Sequence, residues 1–249
     1  MFLLKSRKVL HQAQFTSLPA IRQQLQRIAD AQTAAVLQRF FKTGAGEYGE
    51  GDVFIGIKVP PLRTLAAACQ HASLKTVTGL LKSNIHEERT LALMILVRQF
   101  SRGDEKTRKQ IYDVYLAHTR FINNWDLVDG SAPYIIGPFL WECERTQLYT
   151  WARSSSLCER RIAIISTFYF IRQNDFSDAL RISEVLITDK QDLIHKAVGW
   201  MLREIGKRNA AVEESFLKVH YRDMPRTMLR YSIERFPEKR RREYLLGKI

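Results

Sequence analysis

The feature that most constrains this chain is the regular return of helix starts. Capping residues followed by helical apolar periodicity place starts near His86, Asn124, Leu157, Gln191 and Asp223, at intervals of 38, 33, 34 and 32 residues. Between successive starts lies one further helical segment: Glu105–His118, Glu142–Ser154, Phe176–Ile187 and Ala210–Val219. Two helices per roughly 32–38 residues is the period of a solenoid of helix pairs, near the HEAT and tetratricopeptide spacings. No segment shows convincing period-2 alternation. Identity between the units is poor, which fits degenerate HEAT-like pairs. The expected class is therefore all-α: an α-solenoid of HEAT-like helix pairs with a concave basic groove, forming a single domain over residues 1–249.

Local punctuation supports this reading. Gly103-Asp104 reads as a helix stop followed by an N-cap, and Pro60-Pro61 as a helix start. Asp175, Thr188 and Asp223-Met224-Pro225 supply further caps and breaks, so helices of about 10–17 residues fill the chain from Ser17 to Leu246. One segment departs from the pattern. Gly44-Ala45-Gly46-Glu47-Tyr48-Gly49-Glu50-Gly51-Asp52 holds four glycines and reads as a long mobile loop at the mouth of the groove. It lacks the order of a nucleotide-phosphate loop and follows no strand, and its three carboxylates repel phosphate.

Charge narrows the partners. Thirty-nine Lys and Arg against 26 Asp and Glu give a net charge of +13 and a pI near 9.8. That is the footprint of a phosphate-binding protein, although many basic proteins bind no nucleic acid. The longest apolar run, Leu91 to Val97, reads as the middle of a buried helix and is far short of the ~20 residues that span a bilayer. The apolar part of Met1–Lys8 is too short for a secretory signal, so a cytoplasmic protein is expected. Cys69, Cys143 and Cys158 are widely spaced with no Cys-x-x-Cys pair, and the six histidines form no ligand cluster. They read as core thiols, with no disulfide, metal or cofactor called for.

The segment Asn124-Trp125-Asp126-Leu127-Val128-Asp129 carries the sharpest chemical signal. If it opens a helix, Trp125 and Asp129 stand one turn apart on one face, a π-surface beside a carboxylate. Such a pair suits a cationic ligand or a transition state that develops positive charge. Asp126 reads as a capping or helix-dipole residue. Farther along, Asp192, Lys196, Trp200 and Arg203 form one helical stripe that should meet solvent or a ligand, opposite a core face of Leu193, Ala197, Met201 and Ile205. Gly199 within that helix permits close helix packing or close ligand approach. Ile164, Ile165, Phe168 and Ile171 read as packing residues, leaving Arg160 or Arg161 free for the groove. Trp125, Arg161 and Trp200 lie 36 and 39 residues apart, near the repeat period, so equivalent helices would present all three to one groove. Core packing is the commoner role of any single tryptophan. The run Lys239-Arg240-Arg241-Arg242 reads as a solvated helix end or an extension of a DNA footprint.

Phe54-Ile55-Gly56-Ile57-Lys58-Val59-Pro60, His86-Glu87-Glu88-Arg89, the Trp125–Asp129 turn, the Arg160-Arg161 helix and the segment from Lys196 to Glu204 together resemble the AlkD-type DNA alkylation-repair glycosylases. The resemblance runs from about Val53 to the C-terminus, with residues 1–52 divergent. It implies hydrolysis of the N-glycosidic bond of cationic N3- or N7-alkylated purines in double-stranded DNA, in base excision repair by a monofunctional glycosylase. On that resemblance Asp129 is the catalytic carboxylate, and Trp125 and Trp200 contact the damaged nucleotide. Arg161 binds the DNA backbone near the lesion, with Lys196 and Arg203 as further DNA-binding groups. A monomer without membrane contact is expected, as no long heptad seam is present. A non-catalytic nucleic-acid binder, or a HEAT-type protein-interaction module on the same scaffold, remains the alternative.

Overall fold

The computed structural model describes residues 15–249, so the reading of Met1–Lys8 lies outside the described residues. Among them stand fifteen α-helices and no strand; Val53 and Ile85 form an isolated parallel bridge. The protein is all-α. Its backbone separates into two compact units, the described residues up to Ser131 and Ala132–Ile249.

The first unit contains α1 (Leu18–Arg27), α2 (Ala31–Phe40), α3 (Val59–Ala68), α4 (Leu74–Leu81), α5 (His86–Arg102), α6 (Glu105–Ala117) and α7 (Trp125–Asp129). Side chains of Ser17, Asp30, Ser73 and Asp104 each accept a backbone N–H three residues on, so these helices start where the chain supplies an N-cap. Gly103 ends α5 and Asp104 opens α6, as the sequence reads. The apolar run is the middle of a buried helix: Leu91, Ala92, Leu93, Ile95 and Leu96 of α5 are at most 2% exposed. Against α5 pack α3 and α4, which bring in Leu62, Ala66, Val77, Leu80 and Leu81. Full burial of each large aliphatic contributes about 1.5–3 kcal/mol.

The second unit contains α8 (Ala132–Trp141), α9 (Thr146–Ala152), α10 (Leu157–Arg172), α11 (Ser177–Leu186), α12 (Asp192–Gly206), α13 (Ala210–His220), α14 (Arg226–Ser232) and α15 (Glu238–Leu245). Its middle is α10 and α12, which pack on one another, with α8 and α9 against α10 and α14 against α12. Ile162, Ile164, Ile165 and Ile171 of α10 are fully buried, and so are Ala197, Met201 and Ile205 on the expected core face of α12; Leu193 is half-buried.

Several expectations need correction. The helix opening at Asn124 stops after five residues, because Pro133 has no N–H to give the Asp129 carbonyl and the chain restarts as α8. The start expected near Asp223 falls at Arg226, after Pro225. Asp189, not Thr188, tightens the entry to α12, by accepting from the Gln191 N–H. The glycine-rich segment runs as a series of turns. Glu47 and Glu50 accept from the amides of Gly44 and Gly46, and the Asp52 carbonyl accepts from Gln38. Of the cysteines, Cys69 is a core thiol, whereas Cys143 is exposed and Cys158 half-buried.

Candidate functional site

The site of the first unit is built on the N-terminus of α5. Four consecutive charged or titratable residues, His86, Glu87, Glu88 and Arg89, are each only 2–3% exposed. Burial of that kind is costly unless the groups are paired, and each of the four side chains has a partner, although Arg89 Nε itself stands without a hydrogen bond. Glu88 takes the Arg22 guanidinium of α1 at 2.9–3.0 Å. Glu87 accepts the backbone N–H groups of Ile55, Gly56 and Ile57 at 2.8–3.2 Å. Gly56 sits at φ +84° beside the Asp30 carbonyl, where a Cβ would come within 1.9 Å, so this turn needs glycine. Arg89 donates to the Ser83 carbonyl and, at 2.5 Å, to Asp52.

His86 is bonded on both ring nitrogens. Nδ1 meets Asp52 at 3.0 Å and Nε2 meets Asp126 at 2.8 Å. Burial alone pushes the imidazole pKa down, but the hydrogen bonds to Asp126 and Asp52 outweigh it and raise the value to about 8. Burial likewise pushes the Asp52 carboxyl up. Hydrogen bonds from His86, Asn123 and Asn124 and the charge of Arg89 reverse this and hold it down at about 2. Asp126 is thus a buried-ion partner as well as a first-turn acid; the N-cap of α7 is Asn124, whose side chain accepts from the Trp125 N–H.

On α7 the expected pair is in place. Trp125 and Asp129 stand one helical turn apart, and both are half-buried. The indole stacks on Phe41 at 5.5 Å and 24°, and Phe40, itself 60% exposed, meets it edge-on at 6.2 Å. Phe41 also stacks on Phe54, and both rings lie against the His86 imidazole. An aromatic wall therefore backs the tryptophan, and a carboxylate stands one turn away. Neither Phe40 nor Phe41 was singled out by the sequence reading, since each looks like an ordinary core residue at the end of α2.

In the second unit, Trp200 is half-buried, tilted on Phe168 at 5.8 Å, and donates its indole N–H to Glu204 at 2.9 Å. Lys196 pairs with Asp192 at 2.6 Å, and Arg203 pairs with Glu234. The stripe from Asp192 to Arg203 meets solvent as expected, but its cations carry acidic partners. Gly199 serves helix packing: a Cβ there would lie 2.5 Å from the Met228 carbonyl and from Tyr231 Cβ on α14. The expectation that Arg160 or Arg161 stands free is overturned. Arg160 bonds Asp189 at 2.6 Å and the carbonyls of Ser154 and Ser155. Arg161 is 5% exposed and donates to the Leu193 carbonyl, a position set by its place on the buried face of α10. Of the C-terminal basic run, Arg240 pairs with Glu214 and Glu243, and Arg241 with Glu238.

An all-α chain of paired helices with a tryptophan and a carboxylate on one short helix falls among the helical-repeat proteins. Residues 21–236 match the family described as DNA alkylation repair enzyme, and the chain belongs to that family. The match takes in most of α1, all of α2 and the glycine-rich segment, so the likeness begins earlier than Val53. Among solved structures, a protein from Enterococcus faecalis described as a predicted DNA alkylation repair enzyme is similar at 17% identity and a TM-score of 0.65, over 84% of this chain and 97% of the other. AlkD2 from Streptococcus mutans is similar at 16% identity and a TM-score of 0.53, over 83% of this chain and 98% of that one. No curated protein matches the sequence.

Proposed function

We propose that the protein is a monofunctional DNA glycosylase that hydrolyses the N-glycosidic bond of purines made cationic by N3- or N7-alkylation in double-stranded DNA. The observation that carries the reading is the α7 turn, with Trp125 backed by Phe41 and Asp129 one turn away, in a member of this repair family. A cationic purine leaves as a neutral base, taking the electron pair of the C1′–N bond, so no general acid is needed. The sugar is left as an oxocarbenium-like cation, which an adjacent carboxylate stabilises. Water then attacks C1′ and gives its proton to Asp129 or to solvent. Trp125 offers its π-face to the positive charge, worth about 0.5–2 kcal/mol. Trp200 supplies a second aromatic contact, and Lys196 and Arg203 contact phosphates by exchanging their acidic partners for DNA.

Release of free base from methylated DNA tests the reading. Asp129→Asn should leave folding and DNA binding nearly intact while lowering release by at least about tenfold. Equal release by wild type and variant would remove Asp129 from the mechanism.

The placement of Arg161 favours a second reading, a non-catalytic nucleic-acid-binding or protein-interaction module on the same scaffold. Its guanidinium is buried against Leu193, so it reaches a DNA phosphate only by leaving that carbonyl. Binding to DNA at ~50 mM salt without base release would support the nucleic-acid form of that reading; negligible binding there would support a protein partner.

A further inference from the structure

We propose that His86 is the positioning residue of α7: its imidazolium ties Asp126, in the first turn, to Asp52 at the end of the glycine-rich segment, and so sets Trp125 and Asp129. The functional consequence rests on the glycosylase reading above; the positioning itself does not.

The argument begins with length. A five-residue helix has a single turn and cannot hold its own shape, because nucleation costs more than one turn returns. Its position must come from outside. Three residues at its head supply ties, and all of them run to one cluster. Asn123 donates to Asp52 at 3.0 Å, Asn124 donates to Asp52 at 3.2 Å, and Asp126 accepts from His86 at 2.8 Å.

The proton on His86 decides whether the cluster closes. Ionised carboxylates only accept, so bonding both ring nitrogens to carboxylates requires a hydrogen on each. The charged groups facing the ring are Asp52 from the glycine-rich segment, Asp126 from α7 and Arg89 from α5. Glu87 and Glu88 turn away, to the 55–57 amides and to Arg22. Phe54 lies over the ring at 4.5 Å and Phe41 at 5.0 Å. Phe41 in turn stacks on Trp125, so the ring reaches α7 directly by charge and through Phe41 by packing. When the proton leaves, one nitrogen turns a lone pair to a carboxylate. Asp52 keeps donors from Arg89, Asn123 and Asn124. Asp126 has no such reserve, as its other carboxylate oxygen is already buried without a partner. Whichever nitrogen keeps its hydrogen, one joint of the Asp52–His86–Asp126 tie is lost, and the head of α7 is held less firmly.

The test follows the side-chain indole signals of the full-length protein by nuclear magnetic resonance as pH is raised, with the Trp125 signal assigned by Trp125→Phe. It should shift with a midpoint near 8. In Asp126→Asn, which keeps the side-chain volume but removes one charge, the midpoint should fall by at least about one unit. In His86→Gln the transition should vanish. Should that variant fail to fold, Asp126→Asn carries the test. A Trp125 signal that does not titrate, or one whose midpoint is unmoved in Asp126→Asn, would overturn the proposal. Base release by wild type should decline across the same transition. Titration of Trp125 without base release at any pH would uphold the positioning role and sink the glycosylase reading instead.

Discussion

Gly199→Ala separates a local rule from a packing requirement. In a solvated helix the change gains about 1 kcal/mol, because alanine loses less backbone entropy. In α12 the new Cβ would stand 2.5 Å from the Met228 carbonyl oxygen and 2.5 Å from Tyr231 Cβ. Comfortable carbon contacts lie at about 3.5–4.0 Å, so α12 and α14 must part by roughly 1 Å. A gap of that size forfeits about a quarter to a half of each dispersion contact along the interface. One obstacle is backbone and the other is fixed directly to it, so neither rotates aside. The cost therefore sits at the upper end of the ordinary overpacking range, about 3 kcal/mol. Set against the helix-propensity gain, the net loss is about 2 kcal/mol. For 249 residues this lowers the melting temperature by about 4–8 °C. Calorimetry reads the shift, and the fluorescence of the adjacent Trp200 reports the displaced helix. A melting temperature equal to or above that of wild type would refute the close-packing argument.

Other consequences are as direct. Glu213 is buried, which pushes its carboxyl up to about 8 against the opposing charge of Arg203. A carboxyl raised from 4.5 in the unfolded chain costs nothing below that pH, and the folded state then loses stability progressively until pH passes about 8. Glu213→Gln should hence be close to neutral in thermal melts near pH 4.5 and stabilising above pH 8; a constant difference at both pH values would contradict it. Cys143 is exposed, whereas Cys69 is buried with its thiol raised to about 11 by burial. A thiol reagent should modify Cys143 in the native protein and reach Cys69 only after unfolding, as peptide mass mapping would show.

The helical framework was legible because its signals are local. Gly103-Asp104 ends one helix and caps the next through atoms within three residues of each other. The starts at His86 and Leu157 and the N-caps at Asn124 and Gln191 likewise need no distant partner to be recognised. The break after Asp129 was harder to read, since apolar periodicity continues through Ile135 and Ile136. Pro133 was the available sign. Once its missing N–H is charged to the Asp129 carbonyl, a continuous helix becomes the costlier path.

The charge cluster was illegible for a different reason. His86-Glu87-Glu88-Arg89 looks like a solvated helix start, and Asp52 looks like a carboxylate that repels phosphate. Their partners lie 31 to 66 residues away, at Gly56, Asp52, Asp126 and Arg22, and no short-range pattern encodes those pairings. One clue was present. These four residues sit one residue before a seven-residue apolar run, so a helix buried along its middle had to carry them inward at its start. Arg160 and Arg161 teach the same point in reverse: two adjacent arginines read as available cations, yet the turn of α10 gives one to Asp189 and buries the other against Leu193. The i, i+4 spacing of Trp125 and Asp129 follows from sequence alone, because one turn of helix fixes it. Where that turn points does not. A helix of five residues takes its orientation from the ions that hold its head, and those ions belong to parts of the chain that sequence spacing never brings together.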